Sequence, residues 1–93
     1  MIVGICSLEL FLPGCRSLKD KRQVIKSLKD RLKQRFNISI AEVDAQDLWQ
    51  KTVLGVACIG NQKNYVNEVL DKVIGAIRGN PSVEITDYRL EFL

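Results

Sequence analysis

The stretch PGCRSLKDKRQVIKSLKDRLKQR, residues 13–35, decides the fold. Pro13-Gly14 ends whatever precedes it. Ser17-Leu18-Lys19-Asp20 then has the form of a capping box, in which the Ser17 hydroxyl and the Asp20 carboxylate can satisfy early backbone N–H groups. Leu18, Ile25, Leu28 and Leu32 recur at helical spacing and Val24 widens the stripe, so a helix runs from this cap to about Arg35.

Strand signals lie on both sides of that helix. In residues 2–12, Val3, Ile5 and Phe11 alternate with Cys6, Leu8, Leu10 and Leu12, and both faces are largely apolar. Residues 38–45 are β-branched at alternate positions, and residues 52–60 are again apolar on both faces, with a short connection around Asp47–Lys51 between them. Gly60 and Asn61 end the third strand, and Asn61 is placed to cap a second helix carrying Val66, Val69, Leu70, Val73, Ile74 and Ile77. Gly79-Asn80-Pro81 stops that helix with a residue that tolerates the left-handed region, then a proline. Val83 to Leu93 is a last strand, and its alternation slips near Thr86–Asp87, which predicts a bulge. The order β-α-β-β-α-β predicts an α+β ferredoxin-like plait over residues 1–93, one domain, with a four-stranded antiparallel sheet and two helices on one face.

Such a sheet leaves its other face without helices, where polar alternation is expected. The first and third strands have Ser7, Glu9 and Thr52 as their polar relief. The reading is that a second copy or a partner covers this face, the alternative being that the C-terminal strand folds over it.

Composition narrows the function. Ninety-three residues, 46% hydrophobic and 27% charged, make an ordinary globular core. The apolar N-terminus has no basic leader and carries Glu9, so it does not read as a signal peptide, and no run approaches the ~20 apolar residues that span a bilayer. The expectation is a cytoplasmic protein. Cys6, Cys15 and Cys58 are odd in number, none lies in a CxxC pair, and the chain has no histidine. No zinc site, no cofactor and no enzymatic activity are expected. Cys15, beside Arg16 and just before a helix, is placed where a thiol pKa can fall, though the plainer reading is an inert loop cysteine.

Net charge is +3, but nine basic residues against two acidic ones fall between Arg16 and Arg35. At 100° per residue, Arg22, Lys26, Lys29 and Lys33 lie within about 60° of one another, with Lys19 just beyond. Like charges at this spacing repel, so an anionic partner would relieve a cost. The plainer reading is a solvated face. Lys21 differs, since its angle puts it inside the apolar stripe, where it must snorkel or meet a carboxylate; Glu42 and Asp44 are the candidates.

The loop Pro13–Ser17, with Arg16, runs into a helix N-terminus and could receive an anion. It lacks the glycine-rich signature of the acylphosphatases that use such a loop in this fold. Glu42, Asp44 and Asp47 form a small acidic group, read as an electrostatic partner of the first helix. Trp49, in the hairpin connection, either locks that loop onto the body or anchors a partner. Base stacking on aromatics of the first and third strands, the mode of RNA-recognition motifs, is excluded: residues 51–60 contain no aromatic.

Ser17-Leu18-Lys19-Asp20-Lys21-Arg22, the helix end Arg35-Phe36-Asn37, Ala41-Glu42-Val43-Asp44 and Asp47-Leu48-Trp49 together resemble the YlxP-like family, a bacterial family of unknown function, over essentially the whole chain. The resemblance implies a ferredoxin-like plait and a link to translation, because such proteins are often encoded beside factors for translation initiation and ribosome maturation. It brings no catalytic residues. The expectation is a non-catalytic accessory protein that binds RNA or ribosomal particles through Arg22, Lys26, Lys29 and Lys33, with Arg16 and Lys19 at the helix start. The alternative is a homodimeric interaction or ligand-sensing module that works through its bare sheet face.

Overall fold

The computed structural model describes all residues, 1–93. Its elements are β1 (Ile2–Phe11), α1 (Leu18–Arg35), β2 (Ser39–Asp44), β3 (Lys51–Gly60), α2 (Lys63–Arg78) and β4 (Glu84–Phe92). They form an antiparallel sheet in the order β2-β3-β1-β4, so each helix connects strands that are not neighbours. This is the ferredoxin-like plait.

One face of the sheet carries the core. Cys6, Leu8 and Leu10 of β1 and Leu54, Val56 and Cys58 of β3 are buried under Leu28 and Leu32 of α1 and Val66, Leu70, Val73 and Ile77 of α2. The α1 helix lies over β2, and α2 lies over the other three strands. Gly4 sets the height of α2 above the sheet, since a Cβ there would stand 2.5 Å from Val66 Cγ1 and 2.8 Å from Leu70 Cδ1. Gly4→Ala is therefore expected to destabilise the fold by about 1–3 kcal/mol through overpacking, read as a lower urea midpoint at unchanged slope.

The helix start is built as its sequence requires. Ser17 Oγ accepts from the Asp20 N–H at 3.0 Å, and the Asp20 carboxylate accepts from the Arg16 N–H at 3.0 Å. The second helix departs from expectation at both ends. Its N-cap is Gln62, not Asn61, and no side chain caps it. Gly79 closes it in the right-handed region at φ −76°, not the left-handed one. The chain turns away instead because the Asn80 N–H reaches back to Ile77 O and the Asn80 side chain accepts from the Ser82 N–H across Pro81.

Two irregularities shape the strands. On β4 the partners step from Glu9↔Asp87 to Leu10↔Ile85, so Thr86 is the extra residue of a bulge, with its hydroxyl on Glu9 O at 3.1 Å. On β2 they step from Glu42↔Leu54 to Asp44↔Val53, which makes Val43 the extra residue. A Cβ on Gly55 would lie 3.0 Å from Val43 Cγ1, so the glycine makes room for that displaced side chain.

No other segment of the chain covers the helix-free face. It presents Val3, Ile5, Phe11, Val53, Ala57 and Ile59, while the register places Glu84, Asp87, Arg89 and Glu91 in line with them on β4. The C-terminal strand does not fold over this face. It pairs with β1 at the sheet edge, where its backbone completes the ladder. No helix is long and apolar enough to cross a membrane.

Candidate functional site

Burial of Ile25, Leu28 and Leu32 against the sheet fixes the rotation of α1 and turns its cationic flank toward β2. There Arg22, Lys26, Lys29 and Lys33 line a single groove of about 450 Å³, with Ile25, Asp30 and Glu42 completing it. Because β2 is an edge strand, no further strand closes the seam. Arg22, Lys26 and Lys33 are exposed and Lys29 is half-buried.

The groove is unevenly neutralised. Lys26 Nζ stands 2.7 Å from Asp30 Oδ2, one turn further along the helix. That hydrogen bond raises the Lys26 pKa above the ordinary lysine value and lowers that of Asp30; the charges of Lys26, Lys33 and Lys29 depress Asp30 further. Glu42 faces inward and is engaged elsewhere. Arg22, Lys29 and Lys33 have no carboxylate within 4.0 Å. Four cations thus face two carboxylates, and three of the cations are unpaired. Arg16 and Lys19 are exposed at the helix start and lie outside this groove. Arg31 and Arg35 line a separate hollow against the end of α2.

Lys21 is 1% exposed. Its ammonium stands 2.8 Å from Glu42 Oε2 and donates to Ala45 O at 2.6 Å and to Gln46 O at 3.4 Å. The same Glu42 oxygen accepts the Thr52 hydroxyl at 2.6 Å. Asp44 takes no part, because its carboxylate accepts the Ala45 N–H at 2.8 Å. Nor do Glu42, Asp44 and Asp47 converge on a common point: no group of three acidic or thiol side chains is placed to share an ion. Ala45 has a φ of 60°, the sole non-glycine in the left-handed region, and the lysine holds the carbonyl of that residue.

The loop before α1 and the helix's first turn have two of their N–H groups engaged within the chain. The Asp20 carboxylate and Ser17 hydroxyl already take the Arg16 and Asp20 N–H groups, and the carboxylate itself would repel an incoming negative charge. Cys15 is buried, and its pKa is raised by desolvation first and then by Asp20, the reverse of the activation that its sequence position suggested. Cys6, deep under α2, is pushed up to about 11, also by desolvation.

Trp49 does not lock the hairpin connection. It is 54% exposed and, with Phe11, Leu48 and Lys51, borders an open hollow of about 520 Å³. Two side chains tie the connection to the body: Lys21, through Ala45 O and Gln46 O, and Gln50, whose side-chain amide donates to Pro13 O and Cys15 O while its backbone carbonyl accepts from the Leu12 N–H. Sequence reasoning missed Gln50, as an isolated glutamine between two elements carries no periodic signal.

Comparison with known proteins adds kinship without chemistry. The family described as "Protein of unknown function (DUF503)" matches residues 3–90. An "Uncharacterized protein YlxP" of Bacillus subtilis (strain 168) is 33% identical over 91 residues, spanning 98% of this chain and 99% of the relative. Among solved structures, the "De novo designed protein Ferredog-Diesel" superposes with a TM-score of 0.50 at 14% identity, over 98% of this chain and 84% of the design. That last likeness speaks to the fold alone.

Proposed function

The chain belongs to the family described as Protein of unknown function (DUF503), and since membership brings no activity with it, we propose from its own surface a non-catalytic accessory protein that binds RNA or ribosomal particles through the α1 groove. The observation that carries this reading is the set of three unpaired cations, Arg22, Lys29 and Lys33, beside Lys26 in one groove. A solvated face would balance such charges with carboxylates one turn away, and α1 does so once, at Asp30. The translational neighbourhood implied by the YlxP-like resemblance agrees, and a cytoplasmic site of action is part of the same reading.

Co-sedimentation with ribosomal subunits tests it. The protein is expected to pellet with subunits at about 50 mM salt and to be largely released at about 200 mM. No pelleting at either concentration, or binding indifferent to salt, would overturn the proposal. The intramolecular pair offers a gain-of-function check. Asp30→Asn ends the sharing of the Lys26 charge between Asp30 and a phosphate, so affinity for RNA is expected to rise, by at most the roughly fivefold that one whole phosphate contact is worth at 0.1 M salt, with little change in melting temperature.

A second reading has its own observation. Val43 and Ile59, 55% and 52% exposed, stand with Phe11 on the open side of the sheet, which favours an interaction module that pairs two copies there. Light scattering showing a strict monomer at tens of micromolar counts against it.

A further inference from the structure

We propose that the α1 groove is built for the phosphate backbone of a double helix and not for a single strand. This rests on the polyanion-binding reading above and narrows its ligand.

Three features of the groove carry the argument. Its lining is Arg22, Ile25, Lys26, Lys29, Asp30, Lys33 and Glu42, a set without an aromatic ring and without an amide side chain. Single-strand sites hold their ligand by stacking bases on aromatic faces as well as by attracting phosphates, and base edges are read by amide or guanidinium forks. Here Arg22 alone carries such a fork, and nothing offers a stacking platform. Of the exposed aromatic residues, Phe11 and Trp49 border a different hollow, which shares no residue with this one, and Tyr65 and Tyr88 are on α2 and β4 and line no part of it.

The cations are also held in a fixed line. Positions 22, 26, 29 and 33 lie on one 18-residue helix and span about 16 Å along its axis. A row of charges anchored along one rigid helix suits a ligand that is already ordered. A single strand would have to give up its chain freedom to match that row, with no stacking to offset the loss, whereas a duplex arrives with its phosphates in register. Finally, Glu42 and Asp30 sit in the groove itself and disfavour deeper entry of any phosphate. Contact is confined to the rim, as suits a backbone lying across the helix.

The experiment measures anisotropy of the full chain with four labelled probes matched in phosphate number: an RNA duplex, a DNA duplex, and an unstructured single strand of each. The expected result is that at least one duplex binds on the order of tenfold tighter than its single strand at equal salt near 0.1 M, and that Lys29→Glu/Lys33→Glu, one half-buried and one exposed, abolishes the difference. The better of the two duplexes then names the source of the backbone. Single strands binding as tightly as duplexes, with the charge reversal weakening both, would overturn this inference and leave the polyanion reading standing. Binding of none of the four probes would overturn both.

Discussion

Lys21→Ala is expected to lower the stability of the fold by about 3–5 kcal/mol, the usual cost of removing one partner from a buried ion pair. For a domain of this size that is a fall in melting temperature on the order of 20 °C. Lys21 is the largest fully buried side chain in the protein, and all its donors are used: Glu42 at 2.8 Å, Ala45 O at 2.6 Å and Gln46 O at 3.4 Å. Truncation leaves a cavity the length of three methylenes and an ammonium, a half-buried carboxylate whose remaining partner is the Thr52 hydroxyl, and a carbonyl at a left-handed alanine with nothing to hold it. Lys21→Met separates these contributions, since it refills most of the volume and removes only the charge and its hydrogen bonds. Its expected loss is smaller than that of Lys21→Ala but still well above 1 kcal/mol, because Glu42 is again left without its ion-pair partner. Adding Glu42→Gln to Lys21→Met should recover part of the loss, as the carboxylate is no longer an unpaired charge. Urea unfolding of the four proteins decides the matter. A loss below about 1 kcal/mol for Lys21→Ala would mean that the lysine is carried by the fold and does not hold it.

The same residue shows what can be read from a linear chain. Helical periodicity puts position 21 among Ile25, Leu28 and Leu32, so a lysine there demands a carboxylate, and the nearest strand supplied two candidates. Local geometry could not choose between Glu42 and Asp44. That choice depends on the bulge at Val43, which moves Asp44 out of the alternation, and the bulge depends on Gly55 across the ladder. The cap at Ser17–Asp20, the bulge at Thr86 and the order of the six elements were legible for the opposite reason, because each is specified within a few residues of itself. The hairpin connection was not legible. Beside the Lys21 contacts to Ala45 and Gln46, a second anchor runs from Gln50 to Pro13 and Cys15, more than thirty residues away, and a pairing at that distance leaves no trace in local pattern. Trp49 drew attention by its type, but side-chain type does not say which way a loop residue faces. At Cys15 the plainer reading, an inert cysteine, agrees with the structure: a position before a helix activates a thiol only if the thiol reaches solvent, and burial reverses the sign.

Lys29→Glu/Lys33→Glu is expected to have the largest effect on binding, and its size follows from counterion release. Each phosphate neutralised contributes about 0.7 to 0.9 decades of affinity per decade of salt, depending on whether the ligand is single- or double-stranded. Four contacts along α1 therefore predict a log–log slope of roughly −3 to −4, and removing two halves it. At 0.1 M salt the two lost contacts amount to a fall of about thirty- to sixtyfold. The introduced carboxylates deepen it further by repelling the ligand. The fold should change little, for neither lysine makes an ion pair within the chain, and exchanging one like-charge pair for another at this spacing costs no more than a few tenths of a kcal/mol. Melting curves that overlay the parent's, together with a halved salt slope, separate loss of the site from loss of structure. Lys26 is the weaker choice for such a test, because its charge is already shared with Asp30. An affinity unchanged by the double reversal would place any anionic partner elsewhere on the molecule, and the cationic flank of α1 would then be no more than a solvated surface.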